Sequence, residues 1–226
     1  ADNLGGPVDS PVDAVATIAI PGGAELAART MNGRLGIQGG LSILGTTGIV
    51  IPYSCSSWIH AIHSGVDVAR ASGLGHVAGC TGKTSEAAVR RLHGLEERAM
   101  IDMGGFAGGL LKYLRRHPLP RLTLGGGFAK MSKLAAGNFD LNSRAAAVDI
   151  AWLAGQLERL GAPAALLAEA AAAPTAARLL ALAGELPLAP AVARQARETA
   201  LAVLSGGVAV DVVVVDRAGT VIGHAG

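Results

Sequence analysis

Residues 75–94, GHVAGCTGKTSEAAVRRLHG, combine a short apolar run, a glycine turn and a helical pattern in immediate succession. Residues 76–79 have the composition of a buried strand, and residues 84–92 have the spacing of an amphipathic helix that begins at a threonine or serine. The same order recurs downstream, as predicted strands at 98–102 and 121–124 and predicted helices at 106–116 and 129–136. Strands that alternate with helices predict a parallel sheet covered by helices on both faces.

The carboxy-terminal third of the chain extends this pattern. Residues 143–160 predict a long helix, and the alanine-rich residues 161–183 predict helices with breaks at Pro163 and Pro174. A further helix is predicted at 191–204. Residues 208–215, VAVDVVVV, form the most strongly predicted strand, and residues 220–224 are expected to pair with it as an edge strand.

The amino-terminal residues have a different character. Residues 15–20 predict a short strand, and residues 24–31 predict a short helix. We assign residues 1–50 to the remainder of an N-terminal α+β region with a glycine-rich connection, and residues 51–226 to a Rossmann-like α/β domain. The expected fold class is α/β, with a doubly wound, mostly parallel sheet, helices on both faces, a C-terminal helical segment and edge strands.

Bulk composition argues against several classes of protein. The net charge of +2 and the lack of a basic stripe argue against a nucleic-acid binder. No apolar run of about 18 residues is present, which argues against a membrane span. Two cysteines make neither a disulfide framework nor a metal motif, so we expect reduced thiols and a cytoplasmic protein.

Three predicted strands run directly into a glycine-containing turn and then into a helix. In a parallel sheet all three turns lie at the carboxyl edge, where open α/β folds bind ligands. Glycine lets a ligand approach the backbone closely, and the helix amino termini that follow offer free N–H groups. We therefore predict a cofactor site that includes Gly79, Thr81 and Gly82 from the first turn, Asp102 and Gly104 from the second, and Gly126 from the third.

Asp102 supports this site but has two interpretations. It ends a predicted strand about 20 residues after the glycine of the preceding turn, where a carboxylate often holds ribose hydroxyls. That position suits a cofactor that contains adenosine and needs no diphosphate. The alternative is that Asp102 caps the turn that follows it.

Other ligand motifs are poorly matched. GCTGKTS at 79–85 resembles a phosphate loop, but Val77 stands where that motif needs a glycine. LGGGFAK at 124–130 has Lys130 in place of the third glycine of a dinucleotide fingerprint. His60 and His63 share a predicted helix without a third ligand near them in sequence, so we predict no protein metal site.

Two longer strings resemble the cobalt-precorrin-5B C-1 methyltransferases, the CbiD family. The first is NGRLGI at 32–37 followed by GGLSILGTTGIV at 39–50, and the second is GGFAKMSKLAAG at 126–137. The family usually continues with Thr-His-Ser-Arg, whereas this chain has Asn142-Ser143-Arg144 without the histidine. Family members also carry a glycine- and threonine-rich segment nearer their amino terminus, so we expect the sequence beginning at Ala1 to be a fragment or a processed chain.

The resemblance implies that a methyl group passes from S-adenosylmethionine to ring carbon C-1 of a cobalt-containing corrin precursor. Such a reaction requires the two reactants to lie about 3–3.5 Å apart in a dry pocket, and it demands no acid–base pair. No catalytic residue is identified. Because the ring carries acetate and propionate carboxylates, the resemblance implies substrate-binding roles for Arg34, Thr46, Thr47, Lys130, Lys133 and Arg144.

Two other functions stay open on the sequence. One is a non-catalytic carrier of corrinoids or other tetrapyrroles, which would bind the ring without the adenosyl cofactor. The other is a nucleotide-dependent enzyme built on GCTGKTS. Both the carrier and the methyltransferase would have a tetrapyrrole as their partner. We also expect a homodimer, because sheet enzymes of this size often dimerise.

Overall fold

The computed structural model describes residue 15, residues 17–42 and residues 54–226. Within these ranges the chain forms a five-stranded sheet in the order β2-β1-β3-β4-β5. The strands are β1 (His76–Cys80), β2 (Met100–Asp102), β3 (Arg121–Gly127), β4 (Ala209–Val215) and β5 (Val221–Ala225). β1 to β4 are parallel and β5 is antiparallel to β4, which confirms the predicted mostly parallel sheet and its edge strands.

Helices connect these strands and continue the chain between β3 and β4. The helices are α1 (Gly23–Ala27), α2 (Cys55–Ala71), α3 (Lys83–His93), α4 (Ala107–Arg116), α5 (Phe128–Ala135), α6 (Ile150–Arg159), α7 (Ala164–Ala171), α8 (Ala176–Ala183) and α9 (Leu188–Leu204), with one 3-10 turn at Glu97–Ala99. None of the helices in the described ranges is long and apolar enough to cross a membrane.

The sheet is buried on both faces because its strands alternate between two apolar layers. Val212 and Val214 of β4 belong to the larger layer, which also contains the buried leucines of α4 and the buried alanines of α9. Val213 and Val215 point to the smaller layer beneath α3. This alternation, with helices on each side, confirms the doubly wound architecture.

The strand order reverses direction at β1, and the carboxyl ends of β1 and β3 lie next to each other at this point. The chain leaves β1 on one side to form β2 and then returns to the other side to form β3. Cys80 pairs with Asp102 of β2 and with Gly125 of β3, so the three strands end close together. A reversal of this kind opens a crevice between the neighbouring strand ends.

Several predicted boundaries are wrong. Residues 17–20 have no regular structure, and Ile18 is 75% exposed, because no strand within the described ranges supplies hydrogen bonds to this segment. The helix predicted at 24–31 ends at Ala27, where the carbonyl accepts a hydrogen bond from the Thr30 hydroxyl. The helix predicted from residue 143 begins at Ile150, because the Asp149 carboxylate caps it at Trp152 N over 2.8 Å. The division into domains at residue 50 stays a prediction.

Candidate functional site

A cleft of about 870 Å³ lies at the carboxyl edge of the sheet. Its walls come from the turns after β1 and β4, from the junction of β3 with α5, from the first turns of α3 and α5, and from one side of α8. The lining residues are Thr81, Gly82, Lys83, Thr84, Ser85, Gly127, Phe128, Ala129, Lys130, Ala177, Leu180, Ala181, Val215, Asp216, Arg217, Ala218 and Ile222. We call this the carboxyl-edge cleft.

The turn after β1 presents unpaired backbone donors to the cleft. The N–H groups in the first turn of a helix have no partner inside the helix, and no described side chain caps α3. Ser85 instead donates its hydroxyl to the carbonyl of Gly82 over 2.8 Å. These donors, together with the helix dipole, favour a carboxylate or another anion at this end of the cleft.

Lys130 links α5 to the turn after β1. It stands in the first turn of α5, and its Nζ donates to the Thr81 carbonyl over 3.0 Å. Burial lowers the pKa of Lys130, while the charge of Asp102 acts in the opposite direction. The ammonium is therefore held at the crevice between β1 and β3, where it can contact a bound anion.

Two of the predicted cofactor-binding glycines lie inside strands and are tightly packed. The sequence predicted a turn from Gly125 onward, but the structure extends β3 to Gly127, so that prediction is wrong. A Cβ on Gly126 would lie 2.5 Å from Met131 Sδ, and a Cβ on Gly79 would collide with Leu110. At both positions glycine allows neighbouring elements to pack closely, so neither residue offers open backbone to a ligand.

The turn after β2 is covered by a tryptophan. Trp58 Nε1 donates to the Asp102 carbonyl over 3.0 Å, and its ring leaves no room for a Cβ on Gly104. The Asp102 carboxylate accepts a hydrogen bond from Gly104 N over 3.2 Å, which is the turn-capping role left open by the sequence. Asp102 and Gly104 therefore lie beside the carboxyl-edge cleft and do not line it.

The predicted substrate-binding cations have different surroundings. Lys130 lines the cleft, whereas Arg34 forms ion pairs with Glu86 and Glu97 over 2.6 and 3.2 Å. Lys133 is buried and donates to the Leu141 carbonyl over 3.2 Å, and Arg144 is exposed outside the cleft. Thr46 and Thr47 lie outside the described residues.

Comparison with known proteins identifies the family. The family model CbiD matches residues 5–52, and the model of the CbiD C-terminal domain matches residues 140–226. The chain belongs to the CbiD family. Relatives from Paramagnetospirillum magneticum, Bradyrhizobium sp. and Rhodospirillum rubrum are 64%, 55% and 58% identical over 92%, 99% and 93% of the chain. No solved structure matches it.

Each of these CbiD relatives is named cobalt-precorrin-5B C(1)-methyltransferase. The chain spans 58%, 59% and 60% of their respective lengths. The C-terminal-domain match contains α8, β4 and β5, which form one wall of the carboxyl-edge cleft. The turn after β1, the starts of α3 and α5 and the end of β3 supply the other lining residues.

Sequence reasoning missed the wall that follows β4. Asp216 and Arg217 line the cleft, and Asp216 Oδ1 accepts a hydrogen bond from Thr220 N over 2.8 Å. The rule applied to the first three strands could have found them, because they directly follow a parallel strand. Ala177, Leu180 and Ala181 of α8 gave no comparable signal, since an alanine-rich helix looks the same whether it faces a cleft or solvent.

Proposed function

We propose that this chain forms part of a cobalt-precorrin-5B C(1)-methyltransferase and binds S-adenosylmethionine in the carboxyl-edge cleft. Family membership and the shared name of relatives up to 64% identical support the activity. The observation that carries the choice of site is the position of Lys130 and the start of α3 at the crevice between β1 and β3. We also infer a cytoplasmic location, as befits a biosynthetic enzyme, and a homodimer stays a prediction.

The groups around the cleft fit the two ends of this cofactor. The carboxylate of the amino acid end suits the free N–H groups of α3 and the ammonium of Lys130. The ammonium of the same end suits the carboxylate of Asp216. At the other end, the flat faces of the adenine ring can pack against the apolar side chains of Leu180 and Ile222. A volume of about 870 Å³ falls within the range typical of small-molecule sites.

The residues of the cleft have a positioning role in the proposed reaction. Bound S-adenosylmethionine supplies a methyl group on a positively charged sulfur, open to attack by an electron pair of a ring carbon. Lys130 and the α3 amino terminus fix the amino acid end, and the apolar wall of α8 excludes water from one side. None of these steps asks a side chain to accept a proton.

Calorimetry with S-adenosylhomocysteine tests the proposed site. Lys130→Gln removes the charge and keeps a donor of similar length, so we expect affinity to fall about tenfold, the cost of about 1.4 kcal/mol. Lys112→Gln, an exposed lysine on α4 outside the cleft, is the matched control and should bind like the unchanged chain. No heat with the unchanged chain at millimolar ligand, or an equal loss in both variants, would contradict the proposal.

A mass measurement separates the enzyme from the carrier. The enzyme adds the mass of one methyl group to the corrin precursor when both ligands are present. A carrier binds the precursor without affinity for S-adenosylhomocysteine. Because the chain spans 58–60% of the length of its relatives, the reaction is best measured on a full-length relative with the corresponding lysine changed.

A further inference from the structure

A second cavity, of about 440 Å³, lies in a groove between α2 and α4. Ile59 on α2, Phe106 before α4 and Phe139 after α5 provide its apolar floor. None of the residues that line it also lines the carboxyl-edge cleft. We call it the α2–α4 groove.

Two consecutive glycines in α4 shape the groove. A Cβ on Gly108 would lie 2.9 Å from the Cβ of Phe139, and Gly108 N donates to the Phe139 carbonyl over 2.9 Å. Close packing therefore explains Gly108. A Cβ on Gly109 would lie 3.4 Å from Ile59 Cγ1, which is an ordinary van der Waals contact. Packing therefore does not require glycine at 109, and the absence of a side chain there leaves the groove wider at this point.

The rim of the groove is cationic. Lys112 and Arg116 lie one helical turn apart, so both project from the same side of α4 as the glycines. Among the described residues neither has a carboxylate within ion-pair distance, in contrast to Arg34 and Arg121. Asp140 also lines the groove, but it accepts two hydrogen bonds from Asn142.

The wall of the groove is aromatic. The rings of His63 and Tyr113 stack with centroids 4.0 Å apart and planes 12° from parallel. Burial lowers the pKa of His63, which keeps the ring neutral near pH 7. The Tyr113 hydroxyl donates to Asp67 over 2.7 Å, so its hydrogen-bonding capacity is partly used. The groove thus combines apolar and aromatic side chains with two cations that have no ion-pair partner among the described residues.

We propose that the α2–α4 groove binds one edge of a flat ring that carries several carboxylates, with the rest of the ring over its open mouth. The identity of this ligand as a corrinoid rests on the proposed function. The apolar floor complements the face of the ring, and Lys112 and Arg116 complement its acetate and propionate groups. An acidic protein segment would share the charge but would gain less from the aromatic and apolar side chains that line the groove.

Tryptophan fluorescence can report on this groove. Trp58 is 41% exposed, and its ring lies 6.1 Å from that of Phe106 on the groove floor. In a Trp152→Phe background, cobyrinic acid should quench Trp58 saturably, because corrins absorb at the wavelengths of tryptophan emission. The heptamethyl ester of the same ring keeps the shape and removes the carboxylates, and it should bind at least tenfold more weakly.

Two sets of variants decide the location. The double variant Lys112→Gln, Arg116→Gln should bind cobyrinic acid at least tenfold more weakly and S-adenosylhomocysteine unchanged. Lys130→Gln should weaken S-adenosylhomocysteine binding and leave cobyrinic acid binding unchanged. Both groove side chains are exposed, so urea unfolding should be unaffected. Equal binding of acid and ester, release of the quenching by an acidic peptide that displaces cobyrinic acid at similar concentration, or a loss of ring binding in Lys130→Gln alone would overturn the groove proposal. If the groove proposal fails but the unchanged chain still binds S-adenosylhomocysteine, the proposed function stands. If the unchanged chain does not bind S-adenosylhomocysteine, the proposed function fails independently of the groove.

Discussion

The two edges of the sheet use their polar groups in different ways. At the amino edge, Asp211 accepts hydrogen bonds from Arg121 over 2.7 Å and from Thr123 over 3.1 Å, and Thr123 also pairs with His76 over 2.8 Å. At the carboxyl edge, Lys130 and the start of α3 face an open cleft. Groups that satisfy one another stabilise the fold, whereas groups that face a cleft are available to a ligand. The comparison therefore separates residues needed for stability from residues needed for binding.

The largest effect should come from the amino edge. Asp211 is 6% exposed, and Asp211→Ala would leave Thr123 and Arg121 without their acceptor. Because Arg121 is partly exposed and can rehydrate, we expect the free energy of unfolding in urea to fall by about 2–3 kcal/mol. Affinity for S-adenosylhomocysteine at the opposite edge should not change. A variant with full stability and lost affinity would break the comparison.

Two glycines in turns at the carboxyl edge allow packing and binding roles to be compared within the same edge. Gly104 has a left-handed φ of 54°, and a Cβ there would meet Trp58 at 2.9 Å, so Gly104→Ala should lower the free energy of unfolding by about 1–2 kcal/mol. Gly82 has an extended φ of 161° and open space around it, so Gly82→Ala should change stability by less than about 0.5 kcal/mol. The affinities for S-adenosylhomocysteine, measured by calorimetry, should show the opposite order: Gly82→Ala should lose more affinity than Gly104→Ala. Equal stability losses would show that both turns serve packing.

A smaller effect should appear with pH. Burial lowers the pKa of His76 and of His93 below the ordinary value of 6.5, and the charge of Arg121 adds to both shifts. The unfolded chain therefore binds more protons, and the stability present above about pH 6.5 should be lost as the pH falls through the folded-state pKa values. His224, close to His93, and Asp211 face the same cluster.

Unfolding in urea at about pH 7.5 and pH 5.5 measures this loss. The double variant His76→Gln, His93→Gln should lose less stability between the two conditions. Since hydrogen bonds from Arg121 and Thr123 hold the pKa of Asp211 below its usual value despite burial, its contribution is lost only in stronger acid. An unchanged pH dependence in the double variant would contradict the assignment to these two histidines.

The fold was predictable because its signals are local. Alternating apolar strands and amphipathic helices appear within short windows, and the VVVV run marks the carboxyl-terminal half of β4 without knowledge of its neighbours. The errors at the end of α1 and the start of α6 arose where one side chain decides the outcome, as Asp149 does for α6. Such capping competes with the helix propensity of the preceding alanines.

The candidate site was predictable only in part, because glycine serves two purposes at strand ends. Gly82 faces open space, whereas Gly79 and Gly126 allow close packing, and their sequence contexts do not distinguish these roles. The cover that Trp58 places over Asp102 joins residues 44 positions apart in the chain. The ion pairs of Arg34 with Glu86 and Glu97 likewise depend on the fold, so a cation predicted to bind substrate is already occupied.

Hydrogen exchange with and without S-adenosylhomocysteine tests the central claim most directly, because it locates a ligand without any substitution. We predict slower amide exchange in peptides that contain residues 81–85 and 128–130, and no change in peptides from the amino edge around residues 121 and 211. Protection confined to other segments, or no protection at saturating ligand, would contradict the assignment of the carboxyl-edge cleft as the methyl-donor site.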